Sequence, residues 1–151
     1  MISAAIFDLD GTLTRTPNPW RHIHESLGVW DTACNHFDEW REGRITYDEF
    51  CRKDFSLWQG RALADIHTFL DQIELNRHVP AVIGALVERR IPSIIISSGF
   101  NYVARRIQKA HSWEPLIVYA NDLEEGPHVR VRVSADPSSP ISKRMLGAEA
   151  L

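Results

Sequence analysis

Apolar and polar positions follow two different rhythms along the chain. Residues 2–7 are a short, largely apolar run that ends abruptly in Asp8-Leu9-Asp10-Gly11-Thr12. That is the pattern of a buried parallel strand leading into a polar loop. From about residue 17 to 73 the rhythm turns helical. Trp20, Ile23, Leu27 and Trp30 recur at helical spacing, and Phe37 and Trp40 continue in a second segment that stops near Gly43. Thr46 and Glu49 make a capping-box pattern that opens a third helix, with Phe50 and Leu57, as far as Gly60. Leu63, Ile66, Leu70 and Ile73 mark a fourth. Four short helices with aromatic faces predict a small bundle inserted between two parts of another domain.

Beyond the bundle the rhythm changes again. Pro80 lies near the start of a helix with apolar positions Val82, Ile83, Leu86 and Val87. Residues 91–96 read as a second apolar strand, ending in Ser97-Ser98-Gly99-Phe100, and a helix with Val103, Ile107 and a basic face follows. Residues 116–119 read as a third strand. Val129, Val131 and Val133 alternate with Arg130 and Arg132, as in a half-exposed strand of a hairpin. Strand, helix, strand, helix, strand predicts an α/β fold, a Rossmann-like doubly wound parallel sheet with an inserted helical cap. The core is expected at residues 1–15 and 76–151, the cap at 16–75. Chemistry in such sheets lies outside the carboxyl ends of the strands, where Asp8 and Ser97 both fall.

Composition narrows this picture without redirecting it. The 151 residues are 44% hydrophobic and 25% charged, an ordinary globular mixture, with a net charge of −3 that argues against nucleic acid as a partner. Two cysteines, Cys34 and Cys51, make no disulfide framework, so a reducing, cytoplasmic location is expected. The sequence holds no signal-type segment and no apolar run long enough for a membrane helix.

The strongest chemical signal is the pair Asp8 and Asp10. Two carboxylates one residue apart, leaving a strand, can share a pocket once the backbone turns. One can attack phosphorus and form an aspartyl phosphate, while the other protonates the leaving oxygen and later deprotonates water. Phosphate oxygens and a carboxylate nucleophile repel, so a cation is needed. Mg²⁺, held by few carboxylates plus phosphate and water, meets that need. A calcium loop of EF-hand type is excluded because its twelfth position, counted from Asp8, holds Pro19 where Glu is required. An acidic turn without a role is the remaining alternative.

Phe7-Asp8-Leu9-Asp10-Gly11-Thr12-Leu13-Thr14 resembles the first signature of haloacid dehalogenase (HAD)-type phosphatases. Ser97-Ser98-Gly99-Phe100, after three isoleucines, resembles the second, in the form found in the phosphoserine phosphatase subgroup. The helical insert matches the cap of that subgroup. Lys143, forty-six positions after Ser97, stands where the third signature is expected, and Ala120-Asn121-Asp122-Leu123 with its hairpin also fits. The resemblance implies catalytic roles for Asp8 (nucleophile), Asp10 (acid/base) and Lys143 (charge neutralisation). It implies Mg²⁺ on Asp8 and Asp10, and phosphate binding by Thr12, Ser97, Ser98 and Gly99.

Two departures follow from the same resemblance. Where the subgroup reads the amino and carboxylate groups of phosphoserine, an ungapped alignment places Pro17 and Asp54. Asp54 is expected to face the pocket and to favour an amine or a sugar hydroxyl over a carboxylate. The fourth signature, an acidic pair on a loop after one more strand, is expected beyond Leu151. The chain is thus read as a fragment of a phosphatase acting on a small phosphorylated metabolite. Its first strand would be an exposed sheet edge through which copies could pair. The alternative is a catalytically silent phosphate-binding or interaction protein of the same fold, and a phosphotransferase is a further variant.

Overall fold

The computed structural model describes residues 4–125 and 129–132. Ile2, Val133, Lys143 and the helix expected after it lie outside the described residues. Four strands form one sheet in the order β1 (Ala5–Phe7), β2 (Ser93–Phe100), β3 (Leu116–Glu124) and β4 (Arg130–Arg132). β1 pairs with β2 in parallel, with Ala5, Ile6 and Phe7 opposite Ser93, Ile94 and Ile95. β2 pairs in parallel with β3, and β3 pairs antiparallel with β4. The expected α/β class and the parallel neighbourhood of the first two strands are therefore present.

Alternation along the strands decides what each face meets. Ala5, Phe7 and Ile95 face the helices α5 (Val79–Glu88) and α6 (Asn101–His111), where Ile83, Leu86, Val103 and Ile107 close the core. Phe7 meets Trp113 edge-on, with ring centroids 5.7 Å apart. Each fully buried Ile or Leu here contributes roughly 1.5–3 kcal/mol. On the other face Ile6 and Ile117 flank Ile94 in one register row and are 51% and 44% exposed. β1 is a terminal strand of the sheet formed by the described residues.

Four helices fill the interval between β1 and α5: α1 (Pro19–Leu27), α2 (Trp30–Arg41), α3 (Tyr47–Ser56) and α4 (Leu63–Asp71). The spacing that joined Trp30 to the first helix is broken by Gly28. Its left-handed φ of 70° caps α1, so Trp30 opens α2 instead. The capping box at Thr46 forms as expected, Thr46 receiving the Glu49 N–H and Glu49 Oε2 receiving the Thr46 N–H. The insert is tied to the core in two ways. Ile23, Trp58, Ile66 and Leu70 pack in one apolar cluster with Leu9, Leu13 and Phe100. The outgoing and returning chains meet in an antiparallel bridge between Thr14 and Leu75. Asn76 locks that crossing, its side-chain amide donating to the Thr12 and Thr14 carbonyls at 2.8 and 3.0 Å. Tyr47, Phe50 and Cys51 form a second, separate cluster on the α2–α3 side, with Trp20 and Trp40 against it.

Two sequence expectations shift. Val82 is 44% exposed, whereas Ile83 and Leu86 are buried and Val87 packs half-buried against the core. β2 and β3 both run further than their apolar runs, to Phe100 and Glu124. Their polar ends continue the sheet where buried backbone still needs partners.

Candidate active site

The Asp-Leu-Asp sequence works as an anchor with two flanking carboxylates. Leu9 is fully buried in the core, which fixes the loop between Asp8 and Asp10. The Leu9 carbonyl accepts the N–H groups of Leu13 and Thr14 at 2.9 and 3.0 Å, so the chain folds back at once after β1. Gly11 sits at φ +75°, and a Cβ there would lie 3.2 Å from the Pro17 Cα. The left-handed φ favours glycine, and the close approach leaves little room for a side chain. Buried Thr14 closes the turn, donating to the Thr16 carbonyl at 3.1 Å. Thr12 Oγ1 lies 3.5 Å from Asp8 Oδ2.

The end of β2 meets this loop across 87 positions of sequence. Ser97, fully buried, donates its hydroxyl to Asp10 Oδ2 at 2.5 Å, and the Gly99 N–H donates to Ser97 Oγ at 2.8 Å. Gly99 also gives the Asp10 carboxylate its room: a Cβ on Gly99 would lie 2.2 Å from Asp10 Oδ2 and 2.9 Å from Cγ. The sequence pointed Ser97 and Gly99 toward phosphate. In the structure Ser97 and Gly99 adjoin the Asp10 carboxylate, and Ser98 and Gly99 line the cavity beside it.

That cavity has a volume of about 230 Å³. Asp10, Ser98 and Gly99 form its floor, Pro17 and Asn18 one rim, and the aromatic residues of α1, α2 and α3 its walls. The floor and the insert are joined by the Ser98 carbonyl. It accepts from the Trp20 indole N–H at 3.2 Å and from the side-chain amide of fully buried Asn121 at 2.8 Å. Trp20, Asn76 and Asn121 thus shape the site without having been singled out for it in the sequence. Asn121 falls in the stretch Ala120-Asn121-Asp122-Leu123, which resembles the subgroup pattern. Trp20 and Asn76 carried no signal beyond helical spacing and a turn-forming residue.

Asp54 does not line the cavity. It is 2% exposed, and its Oδ1 bonds His36 Nδ1 at 2.9 Å while Oδ2 lies 3.9 Å from Nε2 of fully buried His24. Helix α3 turns this residue inward, a face that alignment without gaps cannot assign. Burial pushes the Asp54 carboxyl up to about 6, against the opposing hydrogen bond from His36, and pushes His24 down to about 4. The signs differ. Asp54 contributes stability below its ordinary range, which is lost as pH rises through about 6. His24 contributes stability above pH 6.5, which is lost as pH falls toward 4. Asp54→Asn removes the first of these alone. The stability of the variant relative to the native chain is therefore expected to improve as pH rises from about 4 to about 7, by up to roughly 3 kcal/mol. Thermal melts across that range check it; a pH-independent difference would contradict it.

The donors near Asp8 and Asp10 are hard oxygens, which suit Mg²⁺ better than a softer metal. Among the described residues no group of three His, Cys, Asp or Glu side chains is placed to hold a metal ion. Two carboxylates alone would leave most of a Mg²⁺ coordination shell to other donors. Among the described residues, too, no helix is long and apolar enough to cross a membrane.

No protein-family model matches the chain, and no curated protein matches it in sequence. Solved structures do. A HAD-family hydrolase from Salmonella enterica serovar Typhi superposes with a TM-score of 0.76 at 17% identity, over 97% of this chain and 50% of that one. A phosphoserine phosphatase in its apo form gives 0.75 at 16% identity, over 99% and 70%. The phosphoserine phosphatase of T. onnurineus gives 0.68 at 18%, over 96% and 70%. This chain spans half the length of the Salmonella hydrolase. The fold is that of the HAD-like proteins, in the form the phosphoserine phosphatases share.

Proposed function

We propose that the chain carries the catalytic loop of a phosphatase that hydrolyses a small phosphomonoester through an aspartyl phosphate on Asp8. The observation that carries this reading is the meeting of Asp10 with Ser97 and Gly99 at the floor of the cavity, within one loop of Asp8. A carboxyl group locked in place beside a leaving-group pocket suits proton transfer, which needs fixed geometry before it needs a tuned pKa.

In the first step an Asp8 carboxylate oxygen attacks phosphorus. The bond from phosphorus to the ester oxygen breaks, and the Asp10 carboxyl gives its proton to the departing alkoxide. In the second, Asp10 takes a proton from a water molecule as that water attacks phosphorus. The acyl phosphate bond breaks, Asp8 recovers its carboxylate, and inorganic phosphate leaves. Ser97 and Gly99 position Asp10. Thr12 and Ser98 border the phosphoryl group, and Lys143 would neutralise charge there. Mg²⁺ held by Asp8 and Asp10 would offset the repulsion between nucleophile and phosphate. The helical insert closes the leaving-group side and keeps bulk water out.

Hydrolysis of p-nitrophenyl phosphate tests the proposal. The full chain is expected to turn it over with Mg²⁺ and to lose at least ~10²-fold of that rate with a chelator. Absence of turnover at any Mg²⁺ concentration would contradict the hydrolase reading and favour a phosphate-binding protein.

A further inference from the structure

We infer that the cavity selects phosphomonoesters whose alcohol carries an uncharged, flat ring; this rests on the phosphatase reading above and specifies its substrate class. The walls that rise from the Asp10 floor are Trp20, Phe37, Trp40, Tyr47 and Phe50. Asp10 is the only charged side chain among the described residues that line the space. An amino-acid phosphate would bring both an ammonium and a carboxylate into it. Among the described lining residues its carboxylate would meet no cation to offset the water it loses.

The rings form a wall held in place and not merely a packed core. Phe37 is 39% exposed, and Trp20 and Trp40 are half-buried, although apolar side chains of this size bury readily. Each is fixed by another ring. Trp40 stacks on Phe50 at 5.5 Å with 17° between planes, and Phe37 stands edge-on to Phe50 at 6.2 Å. Trp20 stacks on Phe55 at 5.1 Å, and its N–H is spent on the Ser98 carbonyl. Partly exposed aromatic faces, immobilised beside a small polar floor, are what a flat apolar group needs to bind with little ordering of the protein. The other two tryptophans near the interior, Trp58 and Trp113, are 1% exposed and serve the core.

The test compares 2-phenylethyl phosphate with ethyl phosphate and phosphoserine. The first two are alkyl esters with similar leaving groups, so reactivity does not confound the comparison. The native chain is expected to favour the phenylethyl ester over the ethyl ester at least about tenfold in kcat/KM. Phe37→Ala, at a partly exposed position, is expected to lower that ratio several-fold, and Trp40→Leu to do the same. Calorimetric titration with the same esters is run in parallel. If neither ester is turned over but the ring ester binds about tenfold tighter and Phe37→Ala removes the difference, the ring slot stands and the hydrolase reading fails. If both alkyl esters are hydrolysed alike, if phosphoserine is preferred, or if the two variants leave the ratio unchanged, the slot is overturned and hydrolysis stands.

Discussion

Asp8→Asn is expected to lower phosphate-ester hydrolysis by at least ~10³-fold in kcat, because an amide oxygen cannot form the acyl phosphate. The change is nearly isosteric at a half-buried loop position. The amide side chain would still offer a carbonyl oxygen to the Thr12 hydroxyl that now lies 3.5 Å from Asp8 Oδ2. The fold is held elsewhere, by Leu9 in the core and by the Leu9 carbonyl that gathers the turn. The thermal midpoint should therefore move little while activity disappears. A variant that kept a tenth of native activity would remove Asp8 from the role of nucleophile.

Gly99→Ala is expected to reduce kcat by about 10²-fold through a residue that forms no bond with substrate in the proposed reaction. The new methyl would lie 2.2 Å from Asp10 Oδ2, closer than any real carbon–oxygen contact, so the carboxylate must move. Moving it breaks the 2.5 Å hydrogen bond from Ser97 and takes the acid away from the leaving-group side. Crowding of this sort also destabilises by roughly 1–3 kcal/mol. A double-mutant cycle separates positioning from simple damage. In an Asp10→Ala background the obstacle has gone, and Gly99→Ala should cost little further activity. Equal losses in both backgrounds would show that Gly99 acts on something other than Asp10.

What the sequence disclosed depended on the range of each interaction. Local patterns were legible. The apolar runs marked β1 and β2, Thr46 and Glu49 marked the start of α3, and the Asp8–Asp10 spacing marked the loop. Gly28 was legible in principle, since a left-handed cap ends a helix even where apolar spacing continues. Interactions between distant segments were not. Nothing near Ser97 announces that its hydroxyl turns to a carboxylate 87 positions earlier, and nothing near Trp20 announces a bond to the Ser98 carbonyl. Asp54 shows the same limit. Position in an alignment gave it a helix, but only packing of α1, α2 and α3 decides that it lies between two histidines and away from the cavity.

In the proposed reaction Asp8 itself carries the phosphoryl group during turnover. Quenching the full chain in acid during hydrolysis of 2-phenylethyl phosphate, then measuring peptide masses, tests this most directly. One added phosphoryl group is expected on the peptide that contains Asp8, sensitive to hydroxylamine as an acyl phosphate is, and absent from Asp8→Asn. Turnover with no phosphoryl group on that peptide, or a stable group on a serine or histidine, would contradict it.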